Sequence, residues 1–170
     1  MLIGMRGVGK TNIARRLSFL TKRPVMSTDT LVEYECGTSI PQFVAQCGWP
    51  EFRDAEYHVL RKLSALDGLI IDAGGGIVVD LDTEGREVFS DRKVDLLKCG
   101  GRIVFLSGDI DRLAAKVHAD PTRPLLDERT AAADLMRVRL PFYQRAADWT
   151  IDVEGRPRED IAQEIAARYR

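Results

Sequence analysis

Short apolar runs alternate along the chain with segments whose apolar residues recur at helical spacing. Five of the apolar runs are rich in valine, isoleucine and leucine, as are strands that are buried on both faces of a sheet. They are Met1–Ile3, Pro24–Ser27, Leu69–Ala73, Arg102–Ser107 and Thr150–Val153. Because strands that alternate with amphipathic helices are typical of parallel sheets, the pattern predicts an α/β fold in which helices cover a parallel sheet.

Several helices are predicted by the same pattern. Thr11–Thr21 and Pro50–Leu66 each place their apolar side chains on one stripe. A last helix is predicted to begin near Pro157, because proline is well tolerated in a first helical turn. Another helical stretch covers about residues 128–147, and Pro141 inside it is expected to kink or split that helix.

Length and composition indicate one globular domain over residues 1–170, with 45% hydrophobic and 30% charged residues. The net charge is -1, whereas nucleic-acid coats and polybasic membrane anchors need a large excess of one sign. No apolar run approaches the roughly 20 residues of a membrane span, and the first residues lack the pattern of a signal peptide. We therefore expect a cytoplasmic protein with no nucleic-acid or membrane partner.

The most specific local motif is the segment Gly4–Thr11, which matches G-x-x-x-x-G-K-[ST] in full. Its glycines allow successive backbone N–H groups to point at phosphate oxygens, and the following helix adds the positive end of its dipole. Lys10 supplies a cation for the β- and γ-phosphates, and Thr11 supplies a hydroxyl ligand for Mg²⁺. The motif thus predicts binding of a nucleoside triphosphate with Mg²⁺. The expected nucleotide contacts from this segment are Gly7, Val8, Gly9, Lys10, Thr11 and Asn12.

A phosphate loop alone does not define a reaction, because it serves motors, GTPases and small-molecule kinases alike. The Asn-Lys-x-Asp element that recognises guanine does not follow in this chain. A motor or helicase normally needs a longer chain than 170 residues. A small-molecule kinase is therefore the expected class.

Five further motifs follow the phosphate loop in a fixed order. They are Ser27-Thr28-Asp29, Phe52–Glu56, Gly74–Gly76, Arg123–Leu126 and Arg139–Tyr143. Together with the phosphate loop they resemble shikimate kinase, and the resemblance extends from Gly4 to about Val153. It implies transfer of the γ-phosphate of ATP to the 3-hydroxyl of shikimate, a step of aromatic amino acid biosynthesis.

The resemblance also implies the architecture of the nucleoside-monophosphate kinases. That fold is a three-layer sandwich around a five-stranded parallel sheet of strand order 2-3-1-4-5. A helical acceptor-binding region would lie at about 29–62, and a mobile lid at about 116–127.

Roles for individual residues follow from the resemblance by position. Asp29 would hold acceptor hydroxyls and take the reacting proton, while Arg53 and Arg139 would bind the carboxylate. Gly74–Gly76 would let the backbone approach the ring, and Arg123 would reach the transferring phosphoryl group from the lid. Shikimate is a monoanion with three hydroxyls, and paired guanidinium groups match a carboxylate of this kind. Weaker assignments place Lys116 and Arg156 near the adenine.

Each acceptor-side residue also has a simpler explanation. Arg53 could be a solvated residue on a helix face, and Arg139 could pair with a surface acid. Gly74–Gly76 could form an ordinary strand-to-helix turn, and Asp29 could cap a helix that begins near Leu31.

The chain departs from the family pattern at the expected metal site. Family members usually read Asp-x-Asp after the second strand, but here the first position is Ser27, a neutral hydroxyl and a weak metal ligand. Leu69–Asp72 is an apolar strand that ends in a carboxylate, as in Walker B motifs. Since these two strand ends should lie side by side next to Thr11, we hypothesise that Asp72 supplies the missing carboxylate, directly or through water. Otherwise Asp72 would be a structural residue at the strand end.

Two other functions stay open on the sequence. The first is a kinase for a related polyhydroxy acid such as gluconate or quinate, because a carboxylate and hydroxyls are what the proposed residues recognise. The second is a nucleotide-binding regulatory module that has lost catalysis, which Ser27 suggests. A monomer is expected, since the sequence contains no heptad seam.

Overall fold

A computed structural model of the chain describes residues 1–118 and 132–169. The elements, numbered in chain order, are β1 Leu2–Ile3, α1 Lys10–Thr21, β2 Val25–Ser27, α2 Thr28–Cys36, α3 Ile40–Cys47, α4 Trp49–Leu63, β3 Ile70–Asp72, β4 Val79–Leu81, β5 Glu87–Phe89, α5 Asp91–Cys99, β6 Val104–Ser107, α6 Ile110–His118, α7 Ala132–Ala146, β7 Trp149–Asp152 and α8 Arg158–Arg168.

Five strands form one parallel sheet in the order β2-β3-β1-β6-β7. Each corresponds to one of the five predicted strands, and β4 and β5 pair only with each other. Counted along the chain without β4 and β5, the order is therefore the predicted 2-3-1-4-5. The carboxyl ends of parallel strands meet at one edge of a sheet, where ligands bind in open α/β folds.

Helices cover both faces of this sheet. Phe105 and Leu106 are successive residues of β6 and both are fully buried. Because successive side chains of a strand point to opposite faces, each face must be covered, which confirms the α/β class and its three layers. On one face α1 packs against α8 and contacts β1 and β3, which brings the start of α1 to the carboxyl edge.

The hairpin of β4 and β5 is absent from the sequence-based prediction. It follows the glycine segment directly, and its antiparallel register pairs Val79 with Phe89 and Leu81 with Glu87. The Asp82 carboxylate closes the turn by accepting hydrogen bonds from two backbone N–H groups, at 2.9 Å each. The hairpin brings Glu87 toward the helices that carry the expected acceptor residues.

Of the two effects expected of Pro141, a kink or a split, the split is wrong. Helix α7 runs without interruption over Ala132–Ala146 with Pro141 inside it. Proline removes one backbone hydrogen bond from the helix. Burial of side chains on the neighbouring turns, including Met136, Arg139 and Tyr143, offsets this loss.

Most of the expected lid, residues 116–127, lies outside the described residues. Its first part belongs to the end of α6. Within the described ranges, no helix combines the length and the apolar character that crossing a membrane requires.

Candidate active site

The segment between β1 and α1 forms a loop suited to hold an anion. Gly7 and Gly9 have φ values of 82° and 101°, a region that glycine adopts without strain. Gly9 is the N-cap of α1, no side chain caps this helix, and its first turn has no acidic residue. The start of α1 is thus suited to an external acceptor such as phosphate.

The residues of the loop and of the first turn of α1 lie either in the core or at this anion site. The ammonium of Lys10 donates to the carbonyls of Gly4 and Met5 at 2.9 and 3.1 Å, so its charge lies over the loop. Val8 is fully buried and can offer a ligand only its backbone. Asn12 is exposed in the first turn of α1.

A hydroxyl and a carboxylate meet beside this loop. The Thr11 hydroxyl donates to Asp72 Oδ2 at 2.6 Å. Asp72 is the last residue of β3 and is 6% exposed. Ser27 is its register partner on β2, so the two strand ends lie side by side as the sequence predicted.

Ser27 has a structural task of its own. Its hydroxyl accepts a hydrogen bond from the backbone N–H of Thr30 at 3.3 Å and caps α2. Helix α2 begins at Thr28, so the alternative in which Asp29 caps a helix near Leu31 is wrong. Asp29 lies instead in the first turn of α2.

This arrangement fits a magnesium ion that is carried in by phosphates. Within residues 1–118 and 132–169, no three histidine, cysteine or carboxylate side chains gather into a metal cage. Mg²⁺ is commonly bound by one or two carboxylates, waters and substrate phosphates. The Thr11 hydroxyl and the Asp72 carboxylate at the anion loop are donors of that kind.

The glycine segment after β3 holds side chains from three helices. A Cβ on Gly74 would overlap Oδ1 of Asp29, and a Cβ on Gly76 would overlap Nη1 of Arg53. The carbonyl of Gly75 accepts hydrogen bonds from α7, one of them from the Tyr143 hydroxyl. The segment is therefore more than an ordinary turn, because side chains from α2, α4 and α7 rest against it.

Arg53 belongs to a buried charge cluster. It is 3% exposed, which excludes the solvated-face alternative, and its Nη1 donates to Glu56 Oε2 at 2.7 Å. The buried ammonium of Lys93 donates to the same Glu56 oxygen at 3.2 Å. Burial alone would raise the pKa of Glu56, but the Arg53 and Lys93 cations hold it below its usual value.

Arg139 pairs with Glu87 of the hairpin. Its Nε donates to Glu87 Oε2 at 2.7 Å, its Nη2 donates to Oε1, and its Nη1 reaches the Gly75 carbonyl at 3.3 Å. Burial alone would lower the pKa of Arg139, but the hydrogen bonds to Glu87 raise that pKa above its ordinary value. Arg53 Nη2 lies 3.6 Å from the same Glu87 carboxylate. The partner of Arg139 is thus a half-buried carboxylate between two arginines rather than a surface acid.

A cavity of about 270 Å³ lies between the phosphate loop and these arginines. Met5 and Arg6 of the loop form one part of its wall, and Arg53, Glu87 and Arg139 form another. A small anion in this cavity would lie within reach of both guanidinium groups and beside the phosphate loop. This geometry suits transfer of a phosphoryl group to a small acid.

A sequence profile of the shikimate kinase family matches residues 6–170 of the chain. The chain belongs to the shikimate kinase family. A shikimate kinase of Leptospira biflexa serovar Patoc is 45% identical over 166 residues, which cover 97% of this chain and 92% of the relative. One from Pseudomonas syringae pv. syringae is 33% identical over 171 residues, with 99% and 94% covered. The structure of shikimate kinase from Acinetobacter baumannii in complex with shikimate matches with a TM-score of 0.83 at 29% identity, covering 96% of this chain and 88% of that one.

The residues expected near the adenine lie at the surface on α6 and just before α8. Lys116 is exposed near the end of α6, and its Cβ would lie 3.9 Å from a Cβ placed on Gly7. Arg156 forms an ion pair with Glu164 at the surface. Arg123 lies outside the described residues.

Two residues at the site of this shikimate kinase were not predicted from the sequence. Arg158 packs against the phosphate loop, with its Nε 3.0 Å from where a Cβ on Gly9 would lie, and its Nη1 donates to the Val153 carbonyl at 3.1 Å. The Arg-Pro-Arg start of the last helix was the available signal for it. Glu87 carried no comparable signal, since it lies in no recognised motif and its strand has no continuous apolar run.

Proposed function

We propose that this chain is an ATP-dependent shikimate kinase that produces shikimate 3-phosphate and ADP in the biosynthesis of aromatic amino acids. The observation that carries the proposal is the pair Arg53 and Arg139 on one cavity beside the phosphate loop. Two guanidinium groups around one small cavity suit a carboxylate, and the loop suits the phosphates of ATP. Residues 1–170 form one kinase domain in this proposal, with an acceptor-binding region at about 29–62 and a lid at about 116–127.

The acceptor is held from two sides. Arg53 and Arg139 bind its carboxylate, and Asp29 accepts hydrogen bonds from its hydroxyls. The contact of Asp29 with Gly74 fixes the carboxylate at the carboxyl edge of the sheet. Because Gly74–Gly76 carry no side chains, Asp29 and Arg53 can lie against the backbone here, and in this proposal the ring approaches the same segment.

The transfer is an in-line displacement at the γ-phosphorus. The oxygen of the 3-hydroxyl forms a bond to phosphorus, the bond between phosphorus and the β–γ bridging oxygen breaks, and Asp29 accepts the hydroxyl proton. Lys10 and the N–H groups at the start of α1 neutralise the charge on the phosphates. Arg123 would contribute a second cation when the lid closes and excludes water.

Mg²⁺ would be held by Thr11 and Asp72, directly or through water, together with the phosphates. When bound, it supplies positive charge to the β- and γ-phosphate oxygens. Asp72 then takes the place of the carboxylate that Ser27 lacks, and Ser27 keeps its role as the cap of α2. The 2.6 Å hydrogen bond between Thr11 and Asp72 supports this assignment.

The test is ADP release by the purified protein with ATP and Mg²⁺, measured with shikimate, quinate, gluconate and no acceptor. We expect release that depends on shikimate. A Lys10→Met variant serves as the control, because it should abolish release while its circular dichroism stays that of the parent. Release that depends on quinate or gluconate would assign another acceptor. ATP binding without release for any acceptor would assign a regulatory module.

We further propose that the enzyme is a monomer that acts in the cytoplasm. The described α/β core is closed over its own sheet and leaves no sheet face to be completed by a partner. Light scattering at micromolar concentration tests the first statement, with a dimer mass contradicting it. Fractionation of the host cell tests the second.

A further inference from the structure

The hairpin of β4 and β5 places a carboxylate at the carboxylate-binding side of the acceptor cavity. The Glu87 side chain is 12% exposed and lines that cavity. It contacts Arg139 through two hydrogen bonds and lies 3.6 Å from Arg53. Glu87 thus contacts both groups that the proposed function assigns to an acceptor carboxylate, while Glu56 lies closer to Arg53.

The hydrogen bonds of Arg139 leave one edge of its guanidinium for a ligand. A guanidinium has five N–H donors in a fixed fork. Glu87 takes the Nε donor and one Nη2 donor, and the Gly75 carbonyl takes one Nη1 donor. The second donor on Nη2 lies on the edge that faces away from Glu87, where it can bind an oxygen of a carboxylate.

The charges around the cavity also depend on Glu87. Arg53, Lys93 and Arg139 are buried cations, whereas Glu56 and Glu87 are the carboxylates that contact them most closely. The nearby Asp80 carboxylate lies 3.6 Å from the Lys93 ammonium, but it forms both of its shortest ion-pair contacts with Arg92. Among the described residues that line the cavity itself, Arg6, Arg53 and Arg139 are cations and Glu87 is the carboxylate. Glu87 therefore lowers the excess of positive charge that an anionic acceptor meets.

We propose that Glu87 is a positioning residue that holds Arg139 by one edge and presents the other edge to the carboxylate of the acceptor. Its charge sets the subsite for one carboxylate. This inference rests on the proposed function, because it assumes an acceptor that carries a carboxylate. Glu87 does not touch the reacting atoms, so its effect belongs to acceptor binding rather than to the transfer step.

The test compares Glu87→Gln with the parent enzyme. Glutamine keeps the shape but removes the charge, so Arg139 loses its charge-assisted partner. Loss of such a bond corresponds to a rise of about tenfold in KM for shikimate, while kcat and the KM for ATP stay near the parent values. The preference for shikimate over its uncharged methyl ester should fall as well, since a misplaced Arg139 no longer selects a carboxylate.

The hairpin supplies a matched control. Glu84 lies in the turn of the same hairpin with a side chain 67% exposed, paired with Arg86. Glu84→Gln should leave the KM for shikimate unchanged. Glu87→Asp keeps the charge on a shorter side chain, so it should bind shikimate more tightly than Glu87→Gln does. If Glu87→Gln proves unstable to urea, the comparison of Glu87→Asp with the parent tests the same contact.

Shikimate binding without ATP separates this inference from the proposed function. Trp49 lines the cavity, so its fluorescence should report binding directly. Binding by the parent without ADP release would overturn the proposed function alone, and the comparison of the variants would still decide the role of Glu87. An unchanged or lower dissociation constant in Glu87→Gln would overturn the inference, and so would the absence of shikimate binding to the parent.

Discussion

At the scale of single residues, the site depends on contacts that one atom can make or break. Asp72 is buried and receives the hydroxyl hydrogen bond of Thr11 at 2.6 Å. Ser27, its neighbour across β2 and β3, is committed to capping α2. Ser27 thus caps a helix, and Asp72 is the strand-end residue that we propose as the metal ligand.

We expect Asp72→Asn to raise the Mg²⁺ concentration for half-maximal activity about tenfold or more and to lower kcat, because a carboxylate binds Mg²⁺ better than an amide. Calorimetric titration of the ADP complex with Mg²⁺ measures the same loss without turnover.

The matched variant combines Asp72→Asn with Ser27→Asp. Aspartate is as good an N-cap as serine, so α2 should be retained while a carboxylate returns at the neighbouring strand end. Partial recovery of Mg²⁺ affinity is expected. A Mg²⁺ requirement that is equal in the parent and in Asp72→Asn would show that Asp72 has only a structural role.

A second prediction concerns Gly76. A Cβ at this position would overlap Nη1 of Arg53, which is buried and pinned by Glu56, so Gly76→Ala should displace Arg53. We expect KM for shikimate to rise about tenfold or more, or the free energy of unfolding to fall by the energy that corresponds to this factor. Gly75→Ala is the comparison, because its Cβ would find its nearest neighbour, the Arg6 nitrogen, at 3.7 Å. Equal effects of the two alanines would contradict this explanation.

At the scale of elements, α4, α5 and the hairpin meet around one buried charge cluster. Lys93 of α5 donates to Glu56 of α4 and to the Val79 carbonyl of β4. Burial lowers the pKa of Lys93 while Glu56 opposes that shift. The cluster therefore fixes the hairpin relative to α4, and with it the position of Glu87 relative to Arg53.

We expect Lys93→Met to destabilise the protein by about 3 kcal/mol, because it leaves Glu56 buried with one cation fewer. The measurement is the free energy of unfolding in urea. Lys98→Met on the same helix is the control, because Lys98 is exposed and because lysine and methionine have similar helix propensities. A difference of less than about 1 kcal/mol between the two variants would contradict the role of the cluster.

The elements that the sequence predicted are those with long periodic signals. The strands of the sheet, α1, α4 and α8 have apolar runs or stripes that local chemistry dictates. The strands of the hairpin each contain a carboxylate, Asp80 or Glu87, and so lack the continuous apolar run that marks the strands of the sheet. Pro141 was misjudged because a local rule about proline takes no account of the tertiary packing of Arg139 and Tyr143.

The site could be predicted in a similar, partial way. Arg53 and Arg139 follow from ordered motifs, but their partner Glu87 is 34 residues from the first and 52 from the second. Such a contact depends on how the chain folds, and a single sequence carries no signal for it. The alternative for Asp29 failed for a local reason, since Ser27 is an equally good cap two residues earlier.

At the scale of the whole molecule, buried carboxylates link stability to pH. The pKa values of Glu56 and Asp80 lie below their ordinary values of 4.5 and 3.8 in the folded protein. Burial alone would raise both pKa values. The Arg53 and Lys93 cations outweigh this effect for Glu56, and the hydrogen bonds from Arg92 and Ser90 outweigh it for Asp80. These groups contribute stability that is present above their unfolded pKa values and is lost as the pH falls through the folded ones.

We therefore expect the free energy of unfolding to decline as the pH is lowered from about 4.5. Urea titrations at pH 6.0, 4.5 and 3.5 measure the decline, and a Glu56→Gln variant should show a shallower slope. A free energy of unfolding that rises on acidification would contradict the assignment.

The place of Asp72 in the sheet has a mechanical consequence. A carboxylate at the end of β3 is anchored by the pairing of β3 with both β1 and β2, so it moves with the sheet as one rigid body. Asp29 lies on α2, whose cap Ser27 is the last residue of β2, and its carboxylate lies against Gly74, just after β3. The carboxylates proposed for the cation and for the acceptor are therefore attached to the same two strands, so the sheet sets the distance between them.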